Sequence, residues 1–242
     1  MTSTTVAKEI KSIIRPVLRE SGFINNTGKK YWRHKDESID VIDFMSFNSY
    51  NADIIGCTTF SIAIKLGCYF NFIPHRKGIK EKNGLLFPEE WQCDFRGGGI
   101  TKEILQPELE SKEIWYIDES GSNLNEVVLD CKKQLQEKAF VWFNQFDEYQ
   151  NIYDILLNHE DRIGVLWGFG RKDSPLRNFM LASIEIKLKK FEKAEERLVE
   201  LVKYYDNLIQ TERAKDLKAC YIEEKGLKME LLEKTKNFRN TI

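Results

Sequence analysis

The sequence predicts an α+β fold: an N-terminal helix on a mostly antiparallel sheet of about five strands, followed by an α-helical C-terminal extension. Three observations predict it. Val6, Ile10, Ile13, Ile14, Val17 and Leu18 recur at helical spacing, runs between residues 30 and 118 alternate with period two between turn signals, and helical spacing returns from Asn123. With 242 residues and 42% hydrophobic side chains, the chain can build a sizeable core.

The first helix starts at the Ser/Thr cluster of residues 3–5 and ends at Gly22, with Pro16 expected to kink its last turn. Turn signals at Asn25–Gly28 and Lys35–Ser38 bracket KYWRH and precede IDVIDFMSF, two antiparallel strands. The next strand is the strongest. Phe60, Ile62, Ile64, Leu66, Cys68, Phe70 and Phe72 share one parity, and Thr59, Ser61, Ala63, Lys65, Gly67, Tyr69 and Asn71 the other, which predicts one buried face and one open or lightly covered, with a bend at Gly67. Residues 73–91 form a charged excursion before the short strands QCDFR and IWYID. From Asn123, which with Glu126 can make a capping box, Leu124, Val127, Val128, Cys131 and Leu135 line one helix face. The interruption VLWGFGRKDSP ends in a cap and first-turn proline at Ser174 and Pro175, and two helices then meet near Phe191. Leu188, Phe191, Ala194 and Leu198 resemble one tetratricopeptide hairpin, but no second copy follows at that period. A charged helix closes the chain from Thr211 to Phe238. We divide the chain into an α+β domain, 1–158, and a helical extension, 159–242.

Composition excludes several functions. Lys and Arg number 37 against 38 Asp and Glu, so no overall basic field favours nucleic acid. No segment has the roughly 18 uncharged apolar residues of a membrane span, which places the expected location in the cytoplasm. Five scattered cysteines suit buried reduced thiols. His34, His75 and His159 show no metal-ligand spacing, no Gly-x-Ser-x-Gly elbow appears, and the carboxylate pairs Asp40/Asp43 and Glu89/Glu90 read as solvated surface. No cofactor is implied.

Two candidate sites remain. In QCDFRGGGITK, Arg96, Gly97, Gly98, Gly99 and Lys102 concentrate donors suited to an anion, although the Gly-Lys order and spacing of a P-loop are missing. A flexible strand exit is the competing reading. In WGFGR, Trp167, Phe169 and Arg171 have the composition of a partner-binding surface on a glycine-hinged loop. The aromatic run at 139–153 surrounds more than one helix face and calls for a second layer.

The ordered set of Leu18-Arg-Glu-Ser-Gly22-Phe23, Tyr31-Trp32-Arg33, IDVIDFMSF, FSIAIKLGCYF with Leu66-Gly67, CDFR with Arg96, and Trp115 resembles the bacterial family called domain of unknown function 4304. The resemblance covers about residues 6–155. It departs where the family follows its central arginine with a second one and this chain has glycines and Lys102, and where Lys65 stands in place of a frequent asparagine. The resemblance implies no established activity, and it associates the chain with small cytosolic partners in toxin and immunity gene neighbourhoods. The expected function is a non-enzymatic cytosolic protein-binding module, an immunity-type or regulatory partner. The alternative is a small anionic-ligand protein or enzyme with its site at Arg96–Lys102.

Overall fold

The computed structural model describes residues 1–75, 78–97, 100–211 and 216–241. The chain forms two compact units, the first from Met1–Phe70, Ile79–Asn144 and Arg162–Gly168, the second from Asn71–Gly78, Gln145–Asp161 and Phe169–Ile242. This division falls at Asn144, ahead of the boundary at 158 read from the sequence, and returns seven residues of the WGFGR loop region to the first unit.

In the first unit, helix α1 (Ser3–Ile13) is capped by the Thr2 hydroxyl, which accepts from the Thr5 N–H. It breaks at Ile14, and Pro16 sits in the first turn of α2 (Arg15–Glu20), where its missing N–H costs nothing. Gly22, at φ +90°, then turns the chain into the sheet. The sheet is antiparallel throughout, in the order β1 (Asn25–Thr27), β2 (Lys30–His34), β3 (Ser38–Ser46), β4 (Ile62–Phe70), β7 (Phe95–Gly97) and β9 (Leu166–Trp167), with β8 (Ile114–Trp115) pairing the other end of β4. Helix α3 (Ser49–Ile55) joins β3 to β4, and β5 (Lys80–Lys82) and β6 (Leu85–Phe87) form a separate hairpin. There are thus seven strands in the sheet instead of about five. The additions, β1 and β9, are three and two residues long, too short to show a period in sequence.

Strand β4 corrects a second expectation. Its first parity, Ile62, Ile64 and Leu66, packs with Val6, Ile10, Ile14 and Leu18 and with Val127, Val128 and Cys131 of α4 (Leu124–Gln134). The other parity is also covered. Tyr69 packs with Trp32, Ile39, Val41 and Cys93, flanked by Ile79, Leu86 and Phe87, and Ala63 packs with Phe47 and Ala52. The charged excursion at 73–91 therefore supplies a second layer, because β6 and the 3₁₀ turn Glu90–Gln92 fold back over this face. Gly67 serves close approach: a Cβ there would lie 2.6 Å from Cys93 Sγ and 2.9 Å from Cys93 Cβ.

The capping box expected at Asn123 and Glu126 does not form. Instead the Asn123 amide accepts from the Asp118 N–H and donates to Tyr116 O, while the Asp118 carboxylate accepts from the N–H groups of Gly121, Ser122 and Asn123. The hydroxyls of Ser120 and Ser122, together with these backbone donors, hold Asp118 below the usual carboxylate range. Helix α4 passes through a π turn (Leu135–Ala139) into α5 (Phe140–Asn144), and the aromatic run then divides. Phe140, Trp142 and Phe143 belong to the first unit's core, whereas Tyr149 meets the Phe72 ring at 5.8 Å in the second.

The second unit is helical, with α6 (Tyr149–Asn158), α7 (Pro175–Lys187), α8 (Phe191–Ile209) and α9 (Lys218–Thr241). The cap read at Ser174 is present, its hydroxyl accepting from the Arg177 N–H at 3.3 Å. Only three residues join α7 to α8, with Lys189 at φ +57°. The buried Glu185 carboxylate takes both oxygens to Arg197 Nε at 3.0 Å, and Arg197 Nη1 donates to Asn178 Oδ1 at 2.7 Å, which ties α7 to α8.

Adding one methyl where Gly67 meets Cys93 overpacks the sheet. Gly67→Ala should cost about 1–3 kcal/mol in urea unfolding, and Gly67→Ala/Cys93→Ala should recover part of that loss as a non-additive coupling. Additive losses in the double variant would show that the contact does not set the requirement for glycine.

Candidate functional site

The structure puts the predicted anion residues to other uses. Arg96 lies on β7 and its guanidinium forms a two-point pair with Glu90, Nε to Oε1 at 2.9 Å and Nη2 to Oε2 at 3.0 Å. Its other side stacks on Trp167, 4.6 Å from the ring centroid, and Arg96 and Trp167 are cross-strand partners. Gly97 pairs with Leu66, and a Cβ there would stand 2.5 Å from the Trp142 indole, so this glycine makes room for a ring. Gly98 and Gly99 lie outside the described residues. Lys102 donates to Leu109 O at 2.9 Å. Arg96 and Lys102 are thus bound to different partners and not gathered on one open surface.

The carboxylates read as surface residues also differ from expectation. Asp40 is fully buried, pairing through Oδ2 with Arg33 at 2.7 Å and Lys35 at 3.0 Å, and Arg33 in turn lies over the Phe23 and Phe143 rings. Glu90 is buried against Arg96. The sequence gives no parity that separates such pairs from solvated ones: Asp40 is buried on the face of Ile42 and Phe44, where Phe23 and Phe143 cover Arg33, and Glu90 belongs to the excursion that folds over the other face. Asp43 is raised above the usual carboxylate range, first by burial, with Lys30 opposing.

The partner-binding trio is divided as well. Trp167 belongs to β9 and holds Arg96; Phe169 is fully buried and lies under Arg177, 4.6 Å from the guanidinium carbon; Arg171 is exposed. Of the three, Arg171 presents an open surface. Cys68, Cys93 and Cys131 are buried, and burial pushes all three thiols well above their ordinary range, which removes nucleophilic thiolate at neutral pH. Among the described residues no group of three or more His, Cys, Asp or Glu side chains could hold a metal ion. No described helix is long and apolar enough to cross a membrane.

What the sequence reading missed is a groove in the second unit. It has a volume of about 740 Å³ and is lined by Asn71, Phe72, Pro74, Ser183, Ile186, Lys187, Lys189, Phe191, Leu231, Lys234 and Phe238. Its floor is apolar and its charged lining is three lysines with no acidic residue. Lys187 lies 5.0 Å from the Phe72 ring, and Lys234 pairs with Glu230 at 2.7 Å in an exposed bond that an arriving carboxylate can replace. Leu231 and Phe238 are seven residues apart on α9, so they present apolar groups on one helix face about 10 Å apart. The signal was present in Phe191, Leu231 and Phe238, but the alternating charges around α9 made it look like a solvated face. A cleft of about 280 Å³ in the first unit is lined by charges of both signs, Lys80, Lys82 and Glu89, and selects no ligand charge.

A family model described as Domain of unknown function (DUF4304) matches residues 14–145. No curated protein and no solved structure matches the chain.

Two measurements follow from this geometry. Glu90→Gln should cost about 1–2 kcal/mol, less than a fully enclosed pair because Arg96 is 27% exposed; an unchanged urea midpoint would remove the pair from the sheet's stabilising interactions. A colorimetric thiol reagent at pH 8 should modify Cys57 and Cys220 in the native protein and reach Cys68, Cys93 and Cys131 only on unfolding, as peptide mass spectrometry can assign.

Proposed function

The chain belongs to the DUF4304 family, and from that premise we propose that it is a non-enzymatic protein-binding module whose helical unit receives an acidic, amphipathic helix of another protein. The groove carries this reading: an apolar floor of Phe72, Ile186, Phe191, Leu231 and Phe238 beneath Lys187, Lys189 and Lys234. A helix fits it because helix-in-groove recognition places apolar anchors at i, i+3/i+4 and i+7, the spacing at which α9 offers Leu231 and Phe238. Acidic character follows from charge complementarity, since the lining contributes cations and no anion. The apolar anchors supply most of the affinity, and the lysines select sign and speed encounter.

The test uses two labelled helical peptides with the same leucine face, one carrying glutamates on its polar face and the other lysines, titrated into the full chain and followed by fluorescence anisotropy. The acidic peptide should bind about tenfold or more tightly than the basic one, a difference of about 1.4 kcal/mol. Lys189→Glu/Lys234→Glu should reverse that preference, and Phe238→Asp should weaken both peptides. Both substitutions fall on exposed positions, so folding is retained. Equal affinity for the two peptides, or a preference untouched by charge reversal, would overturn the reading. So would a concentration-dependent dimer abolished by Phe238→Asp, which would assign the groove to a second copy of the chain.

A further inference from the structure

Among the described residues two cationic side chains are buried, Lys228 and Arg177. Lys228 has its acid in Glu224, one turn away on α9. Arg177 has none in contact. It is 3% exposed, and its recorded partners are the carbonyl of His159, which accepts from Nη2 at 2.6 Å, and the face of the Phe169 ring. Its Nε–H is buried without a hydrogen-bond partner. With a ring face and one carbonyl in contact and its carboxylates at longer range, the desolvated guanidinium is short of a contacting anion, an expensive arrangement.

Arg177 lines a cavity of about 500 Å³ that also includes His159, Arg171 and Lys172. It occupies the third position of α7, within reach of the positive end of the helix dipole, although Pro175 carries no N–H and the N–H of Arg177 is taken by Ser174 Oγ. Asp161 and Asp173 offset only part of the burial of Arg177, and neither forms an ion pair with it. Asp161 accepts the N–H of Gly170, and Glu160 is exposed. Arg171 and Lys172 are both exposed at the mouth and can close on a ligand.

We propose that this cavity is a phosphoryl-binding site in which Arg177 is the buried primary contact and Arg171 and Lys172 are the outer contacts. A planar guanidinium matches phosphate oxygens through its N–H donors, and Arg177 brings that charge to the cavity wall while its Nε–H stays buried behind it. The cavity lies in the size range of small-molecule sites and admits a phosphomonoester as well as the free ion. This site is separate from the lysine-rimmed groove and shares no lining residue with it.

The experiment titrates the full chain with inorganic phosphate at ionic strength held constant with potassium chloride, reading Tm by differential scanning fluorimetry and binding by ³¹P line broadening. Phosphate should raise Tm in a saturable way where chloride does not. Arg171→Gln/Lys172→Gln should keep the ligand-free Tm of the unsubstituted chain and weaken phosphate binding about tenfold or more, and Arg177→Met, where it folds, should abolish it. Phosphoserine and adenosine monophosphate, titrated in parallel, identify the carrier: whichever binds more tightly than inorganic phosphate supplies the phosphoryl group, and equal affinities assign the free ion. No rise in Tm over chloride, an equal response to acetate, or an affinity unaltered by Arg171→Gln/Lys172→Gln would each overturn the proposal.

Discussion

The first unit depends on strand β4 being buried on both faces, and that burial depends on Gly67. Without a side chain at that position, Cys93 approaches the strand within ordinary packing distance and brings the preceding 3₁₀ turn onto the sheet. The consequences run along the chain in order. Glu90, at the start of that turn, meets Arg96; Asp94 accepts the Phe70 N–H at 2.8 Å; and Arg96 stacks on Trp167, so that β9, only two residues long, is held to β7 by a side-chain stack as well as by its ladder. A strand of two residues has too few backbone bonds to hold a register alone. The arginine that looked like a ligand donor is better described as the joint of the sheet's outer strands.

Buried charge is handled consistently across both units. Asp40 is met by Arg33 and Lys35, Glu90 by Arg96, and Glu185 by Arg197. Asp94 and Asp130 are satisfied by N–H donors, the latter by the Trp115 indole at 2.7 Å and the Glu103 amide at 3.1 Å. These pairs mark positions more than they add stability, because desolvation cancels much of the attraction. Their regularity gives the exception its meaning. Among the described residues, the other buried charges named here have a partner in contact, whereas Arg177 lines a cavity with a ring and a carbonyl in contact and Asp161 and Asp173 only at longer range.

The sequence made the long, periodic elements legible: α1 with its break near Pro16, the three central strands, α4, and the α7–α8 hairpin with its Ser174 cap. Each carries enough residues for a period or a cap to show. It hid what depends on long-range cover. The alternation in β4 suggested an open face because Lys65 and Ser61 sit on it, yet Ala63, Gly67 and Tyr69 on the same parity are buried under residues that read as a charged loop. Glu90 and Arg96 are hidden for the same reason, whereas Asp40 shares the parity of Ile42 and Phe44 and is buried with Arg33 on the helix-covered face. Arg177 had a local signal, an arginine in the first turn after Ser-Pro, but nothing in its neighbours, the exposed Leu176 and the half-buried Asn178, announces that it will be buried.

The family match and the candidate sites divide along the chain in a way that bears on function. Residues 14–145 take in every strand of the sheet but β9, most of its cover and the pairs Arg33–Asp40 and Arg96–Glu90, so the matched features are those that build most of the first unit. Every residue lining the cavity at Arg177 lies beyond 145, as do all three lysines and four of the five apolar floor residues of the groove. A ligand or partner recognised through those residues is recognised by what this chain adds to the family's domain. The domain's own polar side chains are largely committed to one another, and a committed donor such as Arg96 must break a two-point pair before it can take a ligand. Recognition is cheaper where no such pair has to be broken, as at an apolar surface that includes Phe238, which is 56% exposed.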